Sequence, residues 1–156
     1  MKSFDTEERV KQAIENFESG YNCAQSVFLA YSDIFDIDKE RAKMMSVSFG
    51  GGVGRMREVC GTVSAMAMLA GFKYPVHNPQ DQEARTMNYG MVQKMAEMFK
   101  GKHKSIICRE LLPPDEASTN PAPSLRTAQY YGSRPCGKYV AEAARIAGMM
   151  LKGELE

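Results

Sequence analysis

The run Gly50-Gly51-Gly52-Val53-Gly54 constrains the fold most, because it interrupts a chain whose apolar pattern is otherwise helical almost throughout. Neither a helix nor a strand would choose such a run, so the chain breaks there. Upstream, Thr6 can cap a first helix in which Val10, Ala13, Ile14 and Phe17 recur at helical spacing, with Gly20 as its stop. Asn22 is a good N-cap for a second helix carrying Ala24, Val27, Phe28 and Tyr31. Asp36 or Asp38 can cap a third, with Ala42, Met45 and Phe49 on one face.

Downstream of the break, the segment from about Gly61 to Ala70 is apolar almost all round and reads as a buried central helix. Gln80 to Lys100 reads as the longest helix, with Ala84, Met87, Met91, Met95 and Met98 along one stripe. Methionine fills irregular apolar gaps, so this stripe suits a core or a homodimer contact. Ser105 can cap a short helix that Pro113-Pro114 ends. Residues 113–135 are rich in Pro, Ser, Thr, Asn and Gly and read as a long loop, a length uncommon unless the loop serves a site or is mobile. Ser133 and Pro135 then open a final helix through Tyr139, Val140, Ala143, Ala144, Ala147 and Met150. No strand pattern stands out; Ser46-Val47-Ser48-Phe49 alternates too briefly. The expected fold is all-α: one domain over residues 1–156, a compact bundle of five or six helices with a Gly-rich break and a long Pro-rich loop.

A chain of 156 residues can bury a sizeable core without staples. Its net charge of +1 argues against a nucleic-acid binder, which usually carries a basic excess. The N-terminus, Met1-Lys2-Ser3-Phe4-Asp5-Thr6-Glu7-Glu8, is charged and has no apolar signal segment. No stretch approaches the roughly 18 uninterrupted apolar residues of a membrane helix. The expectation is a cytoplasmic protein, a compartment where cysteines are more often redox-active or metal-binding than structural.

That expectation bears on Cys23, Cys60, Cys108 and Cys136, which are dispersed in sequence yet each fall at or just inside an expected helix start. A helix start offers partial positive charge and unpaired N–H groups, and both favour a thiolate, the form that attacks disulfides and binds metals. Arg55 and Arg57 before Cys60, Arg109 after Cys108 and Arg134 before Cys136 add cations nearby. No Cys-x-x-Cys is present, which argues against a thioredoxin-like motif or a simple zinc ribbon. Four convergent sulfurs could hold zinc or an iron–sulfur cluster, or two could form a reversible disulfide with the others as resolving thiols. Buried, inert cysteines in a helical interaction protein are the bland alternative.

The glycine run lacks the Lys-Ser/Thr end of a phosphate loop, and Arg57 stands where a dinucleotide fingerprint needs glycine. A tight turn or close backbone approach explains it, as does a loop of N–H groups facing the sulfurs or a small anion. Gly51, Gly52, Gly54, Arg55 and Arg57 are therefore candidate cofactor-binding residues, and the four cysteines are candidate catalytic or metal-ligating residues. His77 and His103 fit no triad or metal motif and read as surface residues.

From Gly20 to Ile146 the chain resembles the C_GCAxxG_C_C family of putative redox-active proteins. The resemblance is carried by Gly20-Tyr21-Asn22-Cys23-Ala24-Gln25-Ser26-Val27, by Phe49 to Met56 with Val59-Cys60-Gly61, by Cys108-Arg109-Glu110-Leu111-Leu112, and by Cys136 with Val140. It implies a helical, redox-associated protein and no particular substrate. One departure stands out. Where the family has Cys-Gly-Ala-x-x-Gly, this chain has Cys60-Gly61-Thr62-Val63-Ser64-Ala65, adding bulk at Thr62 and Ala65.

The leading expectation is thiol–disulfide or electron-transfer chemistry at the four cysteines, tuned by the glycine loop, Arg55 and Arg57, with an unidentified redox partner. The second is a zinc or iron–sulfur binding module without turnover of its own.

Overall fold

The computed structural model describes residues 1–156 and contains eight α-helices: α1 (Thr6–Glu18), α2 (Cys23–Tyr31), α3 (Lys39–Ser46), α4 (Gly61–Lys73), α5 (Gln82–His103), α6 (Cys108–Leu111), α7 (Ala128–Ser133) and α8 (Cys136–Leu151). The all-α expectation holds, but the count of five or six is corrected to eight. The additions are short. Helix α6, with four residues, is the short helix expected after Ser105, though Ile107 stands at its N-cap, and the unexpected α7 has six residues, too few to display an apolar stripe. The only strand-like feature is an isolated antiparallel bridge between Val59 and Ile107.

Local chemistry accounts for the helix starts. Asp5 rather than Thr6 caps α1, accepting from the Glu8 N–H. Asn22 and Gln25 form a reciprocal capping box on α2, and Asp38 caps α3. Asp81 caps α5 and Thr127 caps α7. Inside the expected third helix the buried face is shifted. Ala42 and Ser46 are buried, one turn apart, with the Ser46 hydroxyl on the Ala42 carbonyl, and Met45 is left 44% exposed.

Helix α4 is the centre of the bundle and packs against α2, α5 and α8, while α1 lies across α2 and α8. Met66, Leu69, Phe28, Tyr31, Met95, Phe99, Ile146 and Met150 are among its fully buried neighbours in one core. The Tyr31 hydroxyl enters that core and donates to the Ala144 carbonyl at 2.6 Å, so its polar tip is satisfied. The methionine stripe on α5 is only partly core. Met91 and Met95 are buried, whereas Met87 is 57% exposed. No helix is long and apolar enough to cross a membrane.

The glycine run folds into an unusual coil. Gly51, Gly52, Val53, Gly54 and Arg55 all have positive φ, as does Arg57. The left-handed region costs a residue with a Cβ roughly 1–2 kcal/mol, so glycine suits three of these positions. The coil is closed on itself: the Gly54 N–H donates to Ser48 O at 2.7 Å, that of Arg57 to Gly51 O at 3.0 Å and that of Glu58 to Gly52 O at 2.9 Å. The strand-like residues that follow are stapled to the segment before α6, with Cys60 N–H donating to Ile106 O at 2.8 Å and Cys108 N–H to Glu58 O at 2.6 Å.

A Cβ at Gly52 would lie 2.6 Å from the Glu58 nitrogen and 2.7 Å from Cys108 Cβ, at φ +69°. Gly52→Ala is therefore expected to destabilise the protein by roughly 2 kcal/mol or more. Gly90→Ala, on α5 with nothing within 4 Å of the new methyl, is expected to stabilise it by about 0.5–1 kcal/mol. Denaturant unfolding of the two variants checks both signs.

Candidate functional site

All four cysteines occupy helix starts. Cys23, Cys108 and Cys136 are the first residues of α2, α6 and α8, and Cys60 is the N-cap of α4. Different parts of the chain thereby bring them to one cavity of about 460 Å³. Its wall also contains Gly51, Gly54, Arg55, Arg57, Arg126, Arg134, Tyr130 and Tyr139. Gly52 is not on that wall. It packs behind it, against the Cys108 side chain. All four thiols are free.

The tightest element is the Cys23 sulfur. It lies so close to the start of α4 that a Cβ on Gly61 would be 2.6 Å from it. The Cys60 thiol and the backbone N–H groups of Gly51, Ala24 and Gly61 favour the charged form of this sulfur. The Cys60 thiol does most to pull the Cys23 pKa down from its ordinary value, to about 6, against the opposing effect of burial. Cys60 moves the other way. Its proton is held first by the bond to Cys23 and next by burial, so it stays well above the ordinary thiol range. The low value belongs to Cys23 because three N–H groups face it, whereas Cys60 has only Thr62, whose hydroxyl is 3.1 Å from the Cys60 sulfur.

Helix-start position alone predicts thiolate character at all four cysteines; the structure corrects this to one. Burial raises Cys108, only partly offset by Arg57 Nη1 at 3.7 Å from its sulfur. Burial pushes Cys136 up to about 12, and the negative charge of Cys23 adds to that rise. Desolvation outweighs the helix-start field wherever donors do not reach the sulfur itself.

The arginines are also sorted. Arg57 is 3% exposed and donates through Nε to Ser118 O at 2.9 Å. Arg55 is half-buried on the cavity wall. Arg134 pairs with Glu116 at 2.7 Å, while Arg109 pairs with Glu58 outside the cavity. Sequence reasoning missed Arg126 and Tyr130, which the 113–135 segment folds over the sulfurs. Arg126 stacks on Phe17 and Tyr130, each ring centre 4.7 Å away, and donates to the carbonyls of Phe17 and Tyr21. The one sequence signal for this was the length of that loop. His103 is corrected from a surface residue: it packs on Phe99 and Tyr139, at 4.8 Å from each ring. His77 is exposed.

A zinc ion or iron–sulfur cluster needs several ligands gathered at bonding range. No three of the chain's His, Cys, Asp and Glu side chains form such a group. The sulfurs share a cavity wall without forming a ligand set.

Compared with known families, the chain matches the family described as "putative redox-active protein (C_GCAxxG_C_C)" over residues 21–150. It therefore belongs to that family, as its cysteine segments suggested. Searches of curated proteins and of solved structures returned no match.

Cys23 is expected to be alkylated by iodoacetamide with a rate that climbs as pH rises through about 6, while Cys136 stays inert until strongly alkaline pH. Gly61→Ala should push the Cys23 sulfur off its donors and move that rise upward by about one pH unit or more. Mass spectrometry of pulse-labelled protein across pH reads both.

Proposed function

We propose that the protein carries out two-electron thiol–disulfide exchange, with Cys23 as the attacking thiolate and Cys60 as the resolving thiol. The observation that carries this reading is the Cys23 sulfur set against the start of α4, where a Cβ on Gly61 would lie 2.6 Å from it, on one cavity wall with Cys60 and with its charged form favoured there. Stabilised charge and an adjacent second sulfur are the two requirements of a dithiol couple.

The step is balanced as follows. The Cys23 thiolate attacks one sulfur of a substrate disulfide, forming a mixed disulfide and expelling the other half as a thiolate. Cys60 then releases its proton and attacks the Cys23 sulfur. The mixed disulfide breaks, the second half leaves as a thiolate, and a Cys23–Cys60 disulfide remains. The substrate gains the two electrons that the two protein thiols lose. An external dithiol would return the protein to its starting state.

The order of events follows from the electrostatics. While Cys23 is a thiolate, it holds the proton of Cys60. Once Cys23 is in a mixed disulfide its charge is gone, and with it the leading cause of the raised Cys60 pKa. Thr62, where the family pattern has alanine, remains to donate to the emerging Cys60 thiolate. Cys60 is thus armed only after Cys23 has reacted. Cys108 and Cys136 stay protonated in the wall.

Reduced protein mixed with glutathione disulfide, quenched with acid and analysed by mass spectrometry without reductant, tests the assignment. Wild type should yield an internal Cys23–Cys60 disulfide. Cys60→Ser should stop at a glutathione adduct on Cys23, and Cys23→Ser should lose at least about 90% of the reaction. Unchanged reaction in Cys23→Ser would refute the assignment, as would stoichiometric iron and sulfide in protein purified without oxygen.

A further inference from the structure

The cavity around the sulfurs has an unbalanced charge. Four arginines, Arg55, Arg57, Arg126 and Arg134, are on its wall, and no Asp or Glu is among its lining residues. Only Arg134 has a carboxylate partner, Glu116. Arg126 is committed to carbonyls and aromatic faces, which satisfy its N–H groups without cancelling its charge. Arg55 and Arg57 have no carboxylate partner at all. Across the whole chain basic and acidic residues nearly cancel, 20 against 19, so this local excess is not a reflection of composition.

Two donors make the imbalance specific. Arg57 Nη2 and Arg55 Nε are buried and have no hydrogen-bond partner. Arg57 is 3% exposed, yet its guanidinium is only partly used, by Ser118 O through Nε and by the Cys108 sulfur through Nη1. A buried guanidinium donor left unpaired is costly, and most such groups in native proteins have a partner or receive one. Burial also lowers the Arg55 pKa, and the neighbouring charges of Arg57 and Arg134 lower it further. Crowded cations of this kind gain most from an arriving anion.

Much of the rest of the wall is apolar or aromatic, with Phe17, Leu111, Leu112, Pro123, Tyr130 and Tyr139 among its residues. A space of about 460 Å³ is the size of a small-molecule pocket rather than of a single ion.

We propose that this cavity binds a small organic anion, its charged group held by Arg57 and Arg55 and its apolar body against the tyrosines and leucines. On the thiol-exchange reading, which this proposal extends, the anion is borne by the substrate disulfide. The substrate class is then a low-molecular-weight disulfide carrying an anionic group, positioned with a sulfur facing Cys23.

The test separates binding from chemistry. Binding of para-nitrobenzoate and of its neutral isostere para-nitrobenzamide to the reduced protein is measured by calorimetry. The carboxylate should bind at least about 10-fold more tightly than the amide, as expected for a charge-assisted pair in a buried site. That preference should fall in Arg57→Gln and in the half-buried Arg55→Gln, the second variant covering the case where Arg57→Gln fails to fold. In parallel, reduced wild-type protein is reacted with the dianionic dithiobis-nitrobenzoate and with neutral dithiodipyridine, each rate normalised to that of a free cysteine peptide. The dianionic reagent should be favoured, with saturation and inhibition by para-nitrobenzoate, and the ratio should drop in both variants. Equal binding of acid and amide, with equal normalised rates, overturns the anion site and leaves the Cys23–Cys60 exchange standing. Failure of Cys23 to react with either disulfide while the carboxylate still binds 10-fold more tightly refutes the exchange and supports the anion site.

Discussion

The contact of the Cys23 sulfur with the start of α4 is the interaction on which the rest of the site depends. It brings one thiol within reach of the Gly61, Ala24 and Gly51 N–H groups and of the Cys60 thiol together. No side chain can intervene, because a Cβ at Gly61 would collide with the sulfur and with the Phe49 carbonyl. The left-handed coil after Phe49 carries the Gly51 N–H to the same point, and the capping box of Asn22 sets the direction of α2. Each of these pieces tolerates little change, since a Cβ at Gly50 would also lie 2.3 Å from the Asn22 amide. The strain of the coil is spent on holding N–H groups where charge resides.

A shared location does not make the four thiols alike. Cys23 receives donors and ionises easily, whereas Cys60, Cys108 and Cys136 are taken out of water and keep their protons. Burial leads the rise at Cys108 and Cys136, and the charge of Cys23 adds to it there, while the bond to Cys23 leads it at Cys60. The arginines then surround a site with a single intrinsic anion, which is why the wall retains a positive excess. The family to which the chain belongs carries the description "putative redox-active protein".

Much of the framework was legible from local chemistry. Asn22 and Asp38 act as the caps that their side chains suggest, and Cys60 stands at the head of the apolar helix that became the centre of the bundle. Other features were hidden. Helix α7 has six residues and no apolar stripe, so nothing announced that it would carry Tyr130 over the sulfurs. Met45 and Met87 fit helical stripes yet are exposed, because periodicity identifies a face and not the extent of the partner that covers it. His103 looked superficial because its burial comes from Phe99 on its own helix and Tyr139 on another.

The sequence by itself determined that the chain is helical, where it must break, and that each cysteine lies at or just inside a helix start. These are local matters, governed by caps, glycine and side-chain periodicity within a few residues. Only the tertiary structure decided which sulfur is charged. That outcome depends on whether N–H donors from separate segments reach the sulfur before burial excludes the water that would otherwise solvate it. Such a balance is set by distances between residues far apart in the chain, as between Cys23 and Gly61 or between Arg57 and Cys108.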